Sequence, residues 1–151
     1  MHAPTTDRVY VANHSSNDVS VINPVTNLVV ATISVGTNPY DFAYVPIADR
    51  VYVANYGTNN VSVINPATNL VVATISVGTQ PIGCVYVPTT DRVYVANFTS
   101  NNVSVINPAT NSVEATITGL AANPLGFAFA PSNDRLYLTR ASSASVSVIN
   151  P

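Results

Sequence analysis

The chain has 151 residues, which is enough for one domain with a hydrophobic core. Hydrophobic residues make up 47% of it and charged residues only 8%, whereas a disordered chain combines low hydrophobicity with high charge. Because the chain has no lysine and a net charge of −2, its surface cannot neutralise a run of phosphates, so we expect no nucleic-acid binding.

Three further features limit the class of protein. The single cysteine, Cys84, excludes a disulfide framework within the chain. No apolar run is long enough for a membrane span, so no membrane insertion is predicted. The N-terminal sequence MHAPTTDR has neither the basic nor the apolar region of a signal peptide, so export would need a signal outside this sequence.

The same stretch of sequence recurs along the chain. The dipeptide Asp-Arg begins at residues 7, 49, 91 and 134, and Asn-Pro ends a segment at 23–24, 65–66, 107–108 and 150–151. The spacings are 42, 42 and 43 residues, and this regularity indicates a repeat architecture. We therefore expect residues 1–151 to form a single repeat domain, with repeats starting at about residues 7, 49, 91 and 134.

Each repeat contains four short runs that are typical of β-strands. In the second copy these are Arg50–Asn55, Asn60–Asn65, Leu70–Val77 and Gly83–Pro88. Valine, isoleucine, tyrosine and threonine dominate them, and no amphipathic helical period is present. The sequence therefore predicts strands throughout and no helix.

The connections between these runs are short and rich in turn residues. In INPATNL, Pro66 suits the first central position of a type I turn, and Asn69 can take the left-handed conformation that closes a short hairpin loop. Links of this length imply antiparallel neighbours, because parallel pairs need long crossovers.

Four antiparallel strands per period of about 40–45 residues are typical of a β-propeller blade. The predicted fold is all-β, a β-propeller of four-stranded antiparallel blades with about 3.5 repeats of 42 residues in this chain. The alternative is a parallel β-helix, which would use shorter coils and would not need tight antiparallel turns.

The second repeat, RVYVANYGTNNVSVINPATNLVVATISVGTQPIG, resembles the YVTN-type β-propeller repeat family. The Tyr-Val-x-Asn strand of that family lies at residues 10–13, 52–55 and 94–97, and the fourth copy departs from it with Tyr-Leu-Thr-Arg at 137–140. The resemblance implies a propeller of usually about seven blades. It also implies a surface-layer or other cell-surface protein, although a minority of the family resembles parts of redox or lyase enzymes.

The most regular polar feature is the Asp-Arg pair, which occurs once per blade at one end of the propeller. We expect the arginine of one blade to pair with the aspartate of the next, as a structural tie between blades. The alternative is an anion-binding ring. The residues concerned are Asp7, Arg8, Asp49, Arg50, Asp91, Arg92, Asp134 and Arg135.

The innermost strand of each blade should line a central channel. Asp41, Gly83 and Gly126 align in the repeats, so Asp41 is the one charge expected there, as a solvated residue at the channel mouth. A metal site needs several converging ligands, and one carboxylate does not provide them. Cys84 stands where the neighbouring copies have phenylalanine, and we expect it to be a small buried hydrophobic residue.

No catalytic arrangement can be assembled from the spacing of the polar residues. His2, His14 and Glu114 do not recur in the repeat, and no Ser-His-Asp set, zinc motif or carboxylate pair is present. We therefore predict a protein that is not an enzyme, with no catalytic, metal or cofactor-binding residues and no cofactor.

Four Asn-x-Ser/Thr sequons cluster near the turn between the first two strands of each repeat. If the chain is exported through a glycosylating pathway, these positions are candidates for N-linked glycans; the alternative is chance in an asparagine- and serine-rich chain. They are Asn13, Asn60, Asn97 and Asn102.

The repeats leave an unfinished blade at each end of this sequence. With strands labelled A to D from the centre outward, the first copy has only a stub of strand A and the last copy stops after strand C. Three explanations are open: a fragment of a longer array, two copies that complete a ring, or a head-to-tail filament.

We therefore expect a non-enzymatic structural or interaction module of an extracellular or cell-surface assembly, with other copies of itself as partners. The alternative is a fragment of a larger seven-bladed propeller that acts as a ligand-binding or redox/lyase-type enzyme component.

Overall fold

The computed structural model describes residues 1–120 and 122–151, and these ranges contain fifteen β-strands and no helix. The strands form four antiparallel sheets, which we call blades 1 to 4 in chain order. Blade 1 contains β1 (His2–Ala3), β2 (Arg8–Asn13), β3 (Asp18–Asn23) and β4 (Leu28–Ser34). Blade 2 contains β5 (Pro39–Val45), β6 (Arg50–Asn55), β7 (Asn60–Asn65) and β8 (Leu70–Ser76). Blade 3 contains β9 (Pro81–Val87), β10 (Arg92–Asn97), β11 (Asn102–Asn107) and β12 (Ser112–Ile117). Blade 4 contains β13 (Pro124–Ala130), β14 (Arg135–Arg140) and β15 (Ser147–Ile149). The described residues contain no helix that is long and apolar enough to cross a membrane.

Within each blade the strands lie side by side in chain order. The first strands of successive blades, β5, β9 and β13, contact one another closely, whereas the outer strands β4, β8 and β12 touch only weakly. The blades therefore radiate from a shared axis, and the predicted β-propeller architecture is confirmed. Blade 1 keeps a short innermost strand, in which His2 pairs with Val9 and Ala3 with Arg8.

Asparagine and aspartate shape nearly every turn of the chain. Asn69, for example, has a φ of 56°, the left-handed conformation that the sequence predicts for it. These side chains enter that region more readily than others because they hydrogen-bond locally, so most of the turns need no glycine. The non-glycine residues with positive φ are Asp7, Asn17, Asn27, Asn38, Asp49, Asn59, Asn69, Gln80, Asp91, Asn101, Asn111, Asn123 and Asp134.

The hydrophobic core lies between the blades. Three clusters of buried residues each join two consecutive blades. In β6, Val51 and Val53 pack toward blade 1, whereas Tyr52 and Ala54 pack toward blade 3. Successive side chains of a strand point to opposite faces of the blade. Because both faces of an inner blade are buried, its strands carry apolar residues at odd and at even positions.

Candidate functional site

The contacts between blades use the same repeat positions each time. The face of blade 2 with Tyr52, Ala54, Val61 and Val63 packs on the face of blade 3 with Val93, Val95 and Ile106. Equivalent residues meet between blades 1 and 2 and between blades 3 and 4. We call the Tyr52 side of a blade its trailing face and the opposite side, which carries Val51, Val53 and Ile64 in blade 2, its leading face.

Two of these faces are not covered by another blade in the described chain: the leading face of blade 1 and the trailing face of blade 4. Val11 on the first is 41% exposed, whereas its counterparts Val53 and Val95 are fully buried. Val146 and Val148 on the second are 53% and 58% exposed, and their counterparts in blades 2 and 3 are buried. The two end blades therefore present apolar surface on the faces that the inner blades use for packing.

The arginines of the Asp-Arg pairs bind their own turns. Nη1 of Arg50 donates to the carbonyl oxygens of Ala48 at 3.1 Å and Asp49 at 2.7 Å. The other three arginines each bond in the same way to the carbonyls of the two residues before them. They are Arg8, Arg92 and Arg135.

The structure thus corrects the predicted pairing of an arginine with the aspartate of the next blade. In the described part of the chain Arg92 forms an ion pair with Glu114, and His2 contacts Asp7 of its own turn through a ring nitrogen. The physical reason is local: the turn already places two carbonyl oxygens against each guanidinium, so a partner on a second blade is not needed.

The aspartates of the same pairs do join blades, through hydroxyl groups. Thr5 Oγ1 in blade 1 donates to Asp49 Oδ1 in blade 2 at 2.6 Å. Thr89 Oγ1 in blade 3 donates to Asp134 Oδ1 in blade 4 at 2.7 Å. At two of the three junctions between the described blades, the aspartate is therefore an acceptor for the preceding blade.

A buried asparagine closes the hairpin between the second and third strands of each inner blade. Asn55 Nδ2 donates to Asn60 Oδ1 at 2.8 Å and to Ser62 Oγ at 2.9 Å, and Asn97 makes the same bonds in blade 3. Both asparagines are fully buried. These side-chain amides therefore link the second and third strands of the inner blades.

In blade 4 an arginine takes the place of this asparagine. Arg140 donates through Nη1 to Ser145 Oγ at 2.8 Å and through Nη2 to Ser147 Oγ. These serines align with Asn60 and Ser62, so the departure from the Tyr-Val-x-Asn pattern preserves the two cross-strand links.

The hydrogen bonds divide the four sequons into two groups. Nδ2, the atom that would carry a glycan, is a donor within the blade in Asn13 and Asn97. Because Asn97 is also fully buried, a glycan there is incompatible with the folded blade. Asn60 and Asn102 are half-buried and use their amide oxygens instead, so glycosylation at these two stays a prediction.

Asp41 lies at the inner end of blade 2, but both carboxylate oxygens are bound. Oδ1 accepts the backbone N–H of Phe42 at 2.8 Å, and Oδ2 accepts that of Cys84 in blade 3 at 2.9 Å. Burial raises the pKa of this carboxyl above its ordinary value, against the opposing effect of the two N–H donors. Asp41 is half-buried, and beyond the expected position at the channel mouth it ties two innermost strands together.

A cleft of about 330 Å³ opens beside Asp41, and Tyr40, Leu125 and Thr139 are among the residues that line it. Cys84, on the neighbouring strand, is buried as predicted, and burial raises the pKa of its thiol well above the usual value. The described residues contain no group of three or more histidine, cysteine or acidic side chains that could hold a metal ion.

The two histidines have local partners. His2 Nε2 lies 2.9 Å from Asp7 Oδ1, and the ring of His14 stands edge-on to Tyr40 with centroids 6.2 Å apart. Glu114 lies on the outer strand β12, where the guanidinium of Arg92 lowers the pKa of its carboxyl.

Sequence reasoning missed a set of asparagines that hold the links between blades. Asn17 Oδ1 accepts the backbone N–H of Asn38 at 2.9 Å, and Asn59 Oδ1 accepts that of Gln80 at 2.9 Å. Asn101 does the same in blade 3. The signal was available, because an asparagine recurs two residues before the Val-Ser-Val-Ile strand in the first three repeats and is absent from the fourth.

The radial arrangement of four-stranded blades defines the chain as part of a β-propeller. A family model of YNCE-like beta-propellers matches residues 41–148, so the chain belongs to that family. The match agrees with the resemblance to YVTN-type repeats. The chain matches no curated protein sequence.

Solved structures share the fold at low sequence identity. The chain is similar to hydrazine synthase from Kuenenia stuttgartiensis, with a TM-score of 0.90 and 22% identity over 99% of this chain and 44% of that one. It is also similar to U3-55K, with a TM-score of 0.77 and 12% identity over 98% of this chain and 50% of that one. The chain thus spans half the length or less of each of these structures.

Proposed function

We propose that the chain is a non-enzymatic interaction module that acts by packing its two uncovered blade faces against further propeller blades, including those of other copies of itself. The observation that carries this proposal is the exposure of Val11, Val146 and Val148 at repeat positions that are buried in the inner blades. Apolar surface that is contiguous with a packing face marks an interaction site.

The chemistry of these faces suits association. Only 8% of the chain is charged, so little charge repulsion opposes contact between copies. An inner interface contains mostly valine, isoleucine and tyrosine. Each Å² of apolar surface that such an interface removes from water stabilises it by about 25 cal/mol. Covering an end face would stabilise the assembly in the same way.

The test is the mass of the purified chain in solution, measured by light scattering and sedimentation over a range of concentrations. We expect a mass above that of a single chain and its loss in the double variant Val11→Asp/Val148→Asp. Val72→Asp, at an exposed valine on the outer strand of blade 2, is the matched control and should associate as the parent does. A monodisperse monomer at every concentration would overturn the proposal.

The proposed location is the cell surface or the extracellular space, and the support for it is the resemblance to surface-layer propellers. Fractionation of the source cells, followed by detection with an antibody against the chain, tests the location. Recovery in the cytoplasmic fraction alone would contradict it.

One observation favours a second function, in which the chain is part of a larger propeller that binds a ligand or belongs to an enzyme. The cleft of about 330 Å³ beside Asp41 lies at the inner ends of blades 2 to 4 and is large enough to admit a small molecule. A chain that is monomeric in solution would favour this alternative, provided that Asp41→Asn leaves the fold intact.

A further inference from the structure

The aspartate of each Asp-Arg turn has two donor positions around it. One belongs to its own blade: Tyr44 OH donates to Asp49 Oδ1 at 2.9 Å, and Tyr86 OH donates to Asp91 Oδ1 at 3.0 Å. The other belongs to the preceding blade, where Thr5 Oγ1 donates to Asp49 at 2.6 Å. Asp49 therefore accepts one hydrogen bond from its own blade and one from the preceding blade.

The inner turns show what happens when one donor is missing. Ile47 stands where Thr5 and Thr89 stand in the other copies, and accordingly the one side-chain donor to Asp91 among the described residues belongs to its own blade. In blade 4 the own-blade position is Phe129, which has no hydroxyl, and Thr89 is the one side-chain donor to Asp134 in the described part of the chain.

Blade 1 has the own-blade donor but lacks the preceding one. His2 occupies the repeat position of Tyr44 and Tyr86, and its Nε2 lies 2.9 Å from Asp7 Oδ1. No hydroxyl in residues 1–120 or 122–151 reaches Asp7 from the position that Thr5 holds at Asp49.

Blade 4 has the complementary hydroxyl. Ser132 aligns with Thr5 and Thr89, is exposed, and makes no side-chain hydrogen bond in the described chain. Its hydroxyl lies at the repeat position from which Thr5 and Thr89 donate to the next blade. The acceptor that would match it is the aspartate of a following blade.

The uncovered apolar faces match in the same order. The trailing face of blade 4 carries Tyr137 and Val148 where blade 2 carries Tyr52 and Val63, and the leading face of blade 1 carries Val11 where blade 3 carries Val95. Within the chain, trailing faces pack on leading faces at all three junctions between blades. The two end faces thus repeat the chemistry of an interface that the molecule already makes.

Resting on the proposed function above, we propose that blade 4 of one copy packs on blade 1 of a second copy, head to tail, with Ser132 Oγ donating to the Asp7 carboxylate across the junction. The second copy is the favoured partner because the apolar face and the acceptor that blade 4 needs both occur on blade 1 of the same chain. The contact is heterologous, so it produces a closed ring if the rotation closes and an open series if it does not.

The head-to-tail orientation is tested with two single variants, Val11→Asp and Val148→Asp. Each variant places a charge on one of the two apolar end faces of a folded chain. Each variant alone should be a monomer by sedimentation, and an equimolar mixture should form a 1:1 complex through the two intact faces. Circular dichroism and melting curves confirm that both variants fold. If Val11→Asp alone still dimerises, the faces pair with their own kind, and the head-to-tail junction is overturned while self-association stands.

The hydrogen bond is tested in the same mixture, in which Val11→Asp supplies blade 4. Adding Ser132→Ala to that partner should weaken the complex about 10- to 100-fold, because a hydrogen bond to a charged acceptor is lost. Ser132→Thr keeps the hydroxyl and should retain the affinity. Equal affinity for the Ala and Thr variants would refute the Ser132–Asp7 bond, and a wild-type chain that never associates would refute the proposed function as well.

Discussion

The backbone N–H of Cys84 donates to Asp41 Oδ2 across 2.9 Å and so connects the innermost strands of two blades. The same aspartate accepts the N–H of Phe42 in its own strand. Its counterparts Gly83 and Gly126 have no side chain, so neither β9 nor β13 can form the same link. A single charged side chain near the axis therefore has a structural role that can be measured.

The pH dependence of stability should report on Asp41. Burial raises the pKa of its carboxyl in the folded chain, so the folded state binds this proton more tightly than the unfolded state does. The stability that Asp41 contributes is then greatest below the ordinary carboxyl pKa of about 3.9 and declines as pH rises through the raised value. We expect the free energy of unfolding of the wild type, relative to Asp41→Asn, to fall as the pH rises from about 4 through the raised pKa of the folded chain.

Urea titrations of both proteins at several pH values measure this difference, and the titrations of all other groups largely cancel in it. A relative stability that rises with pH would mean that the two N–H donors outweigh burial, and it would reverse the assigned direction of the pKa shift.

Two aligned glycines should respond differently to substitution. A Cβ at Gly83 would collide with the backbone carbonyl oxygen of Leu125 in blade 4, whereas a Cβ at Gly126 would meet nothing nearer than Thr139 Oγ1 at 3.6 Å. Because the obstacle at Gly83 is backbone, β9 and β13 must move apart. We expect Gly83→Ala to lower the free energy of unfolding by about 1–3 kcal/mol and Gly126→Ala to change it little. Similar melting temperatures for the two variants would argue against close contact of the innermost strands.

The sequence predicts the fold well because the repeat carries its own turn chemistry. Strands such as β6 and β7 match the predicted runs, since Pro66 and Asn69 mark where the chain must reverse. The period then requires each blade to bury both faces, which places the core between the blades. These properties are local or periodic, and both kinds are visible in one sequence.

The contacts of the polar residues were harder to predict because their partners are backbone groups. Arg50 satisfies its guanidinium with two carbonyls of its own turn, and Asp41 binds two N–H groups. A sequence pattern shows which side chains carry charge but not which backbone atoms a turn exposes to them. Hence the Asp-Arg pairs suggested an ion pair where the structure has a turn and a hydroxyl contact.

The buried asparagines should be costly to remove. Asn97→Ala deletes two hydrogen bonds and leaves Ser104 without its donor inside the blade, so we expect a loss of about 2–3 kcal/mol in the free energy of unfolding. Asn13 makes the corresponding bonds in blade 1 but is only half-buried, so Asn13→Ala should cost less. Chemical denaturation of the two variants beside the wild type gives both values, and an equal or greater cost at Asn13 would contradict the role of burial.

The last prediction concerns the turn before β15. In blades 1 to 3 this turn ends in an asparagine with a left-handed conformation, whereas blade 4 has Ala144 at that position and a third strand of only three residues. Ala144 does not take the left-handed conformation, which alanine enters at a cost that asparagine largely avoids. Ala144→Asn should therefore raise the free energy of unfolding by about 0.5–1 kcal/mol and slow amide exchange from Val146 to Ile149. Ala144→Thr is the control, since a β-branched residue disfavours the left-handed conformation, and it should give no gain. If the asparagine and threonine variants exchange alike, the short third strand has another cause, and the link to Arg140 through Ser145 and Ser147 would be the next to vary.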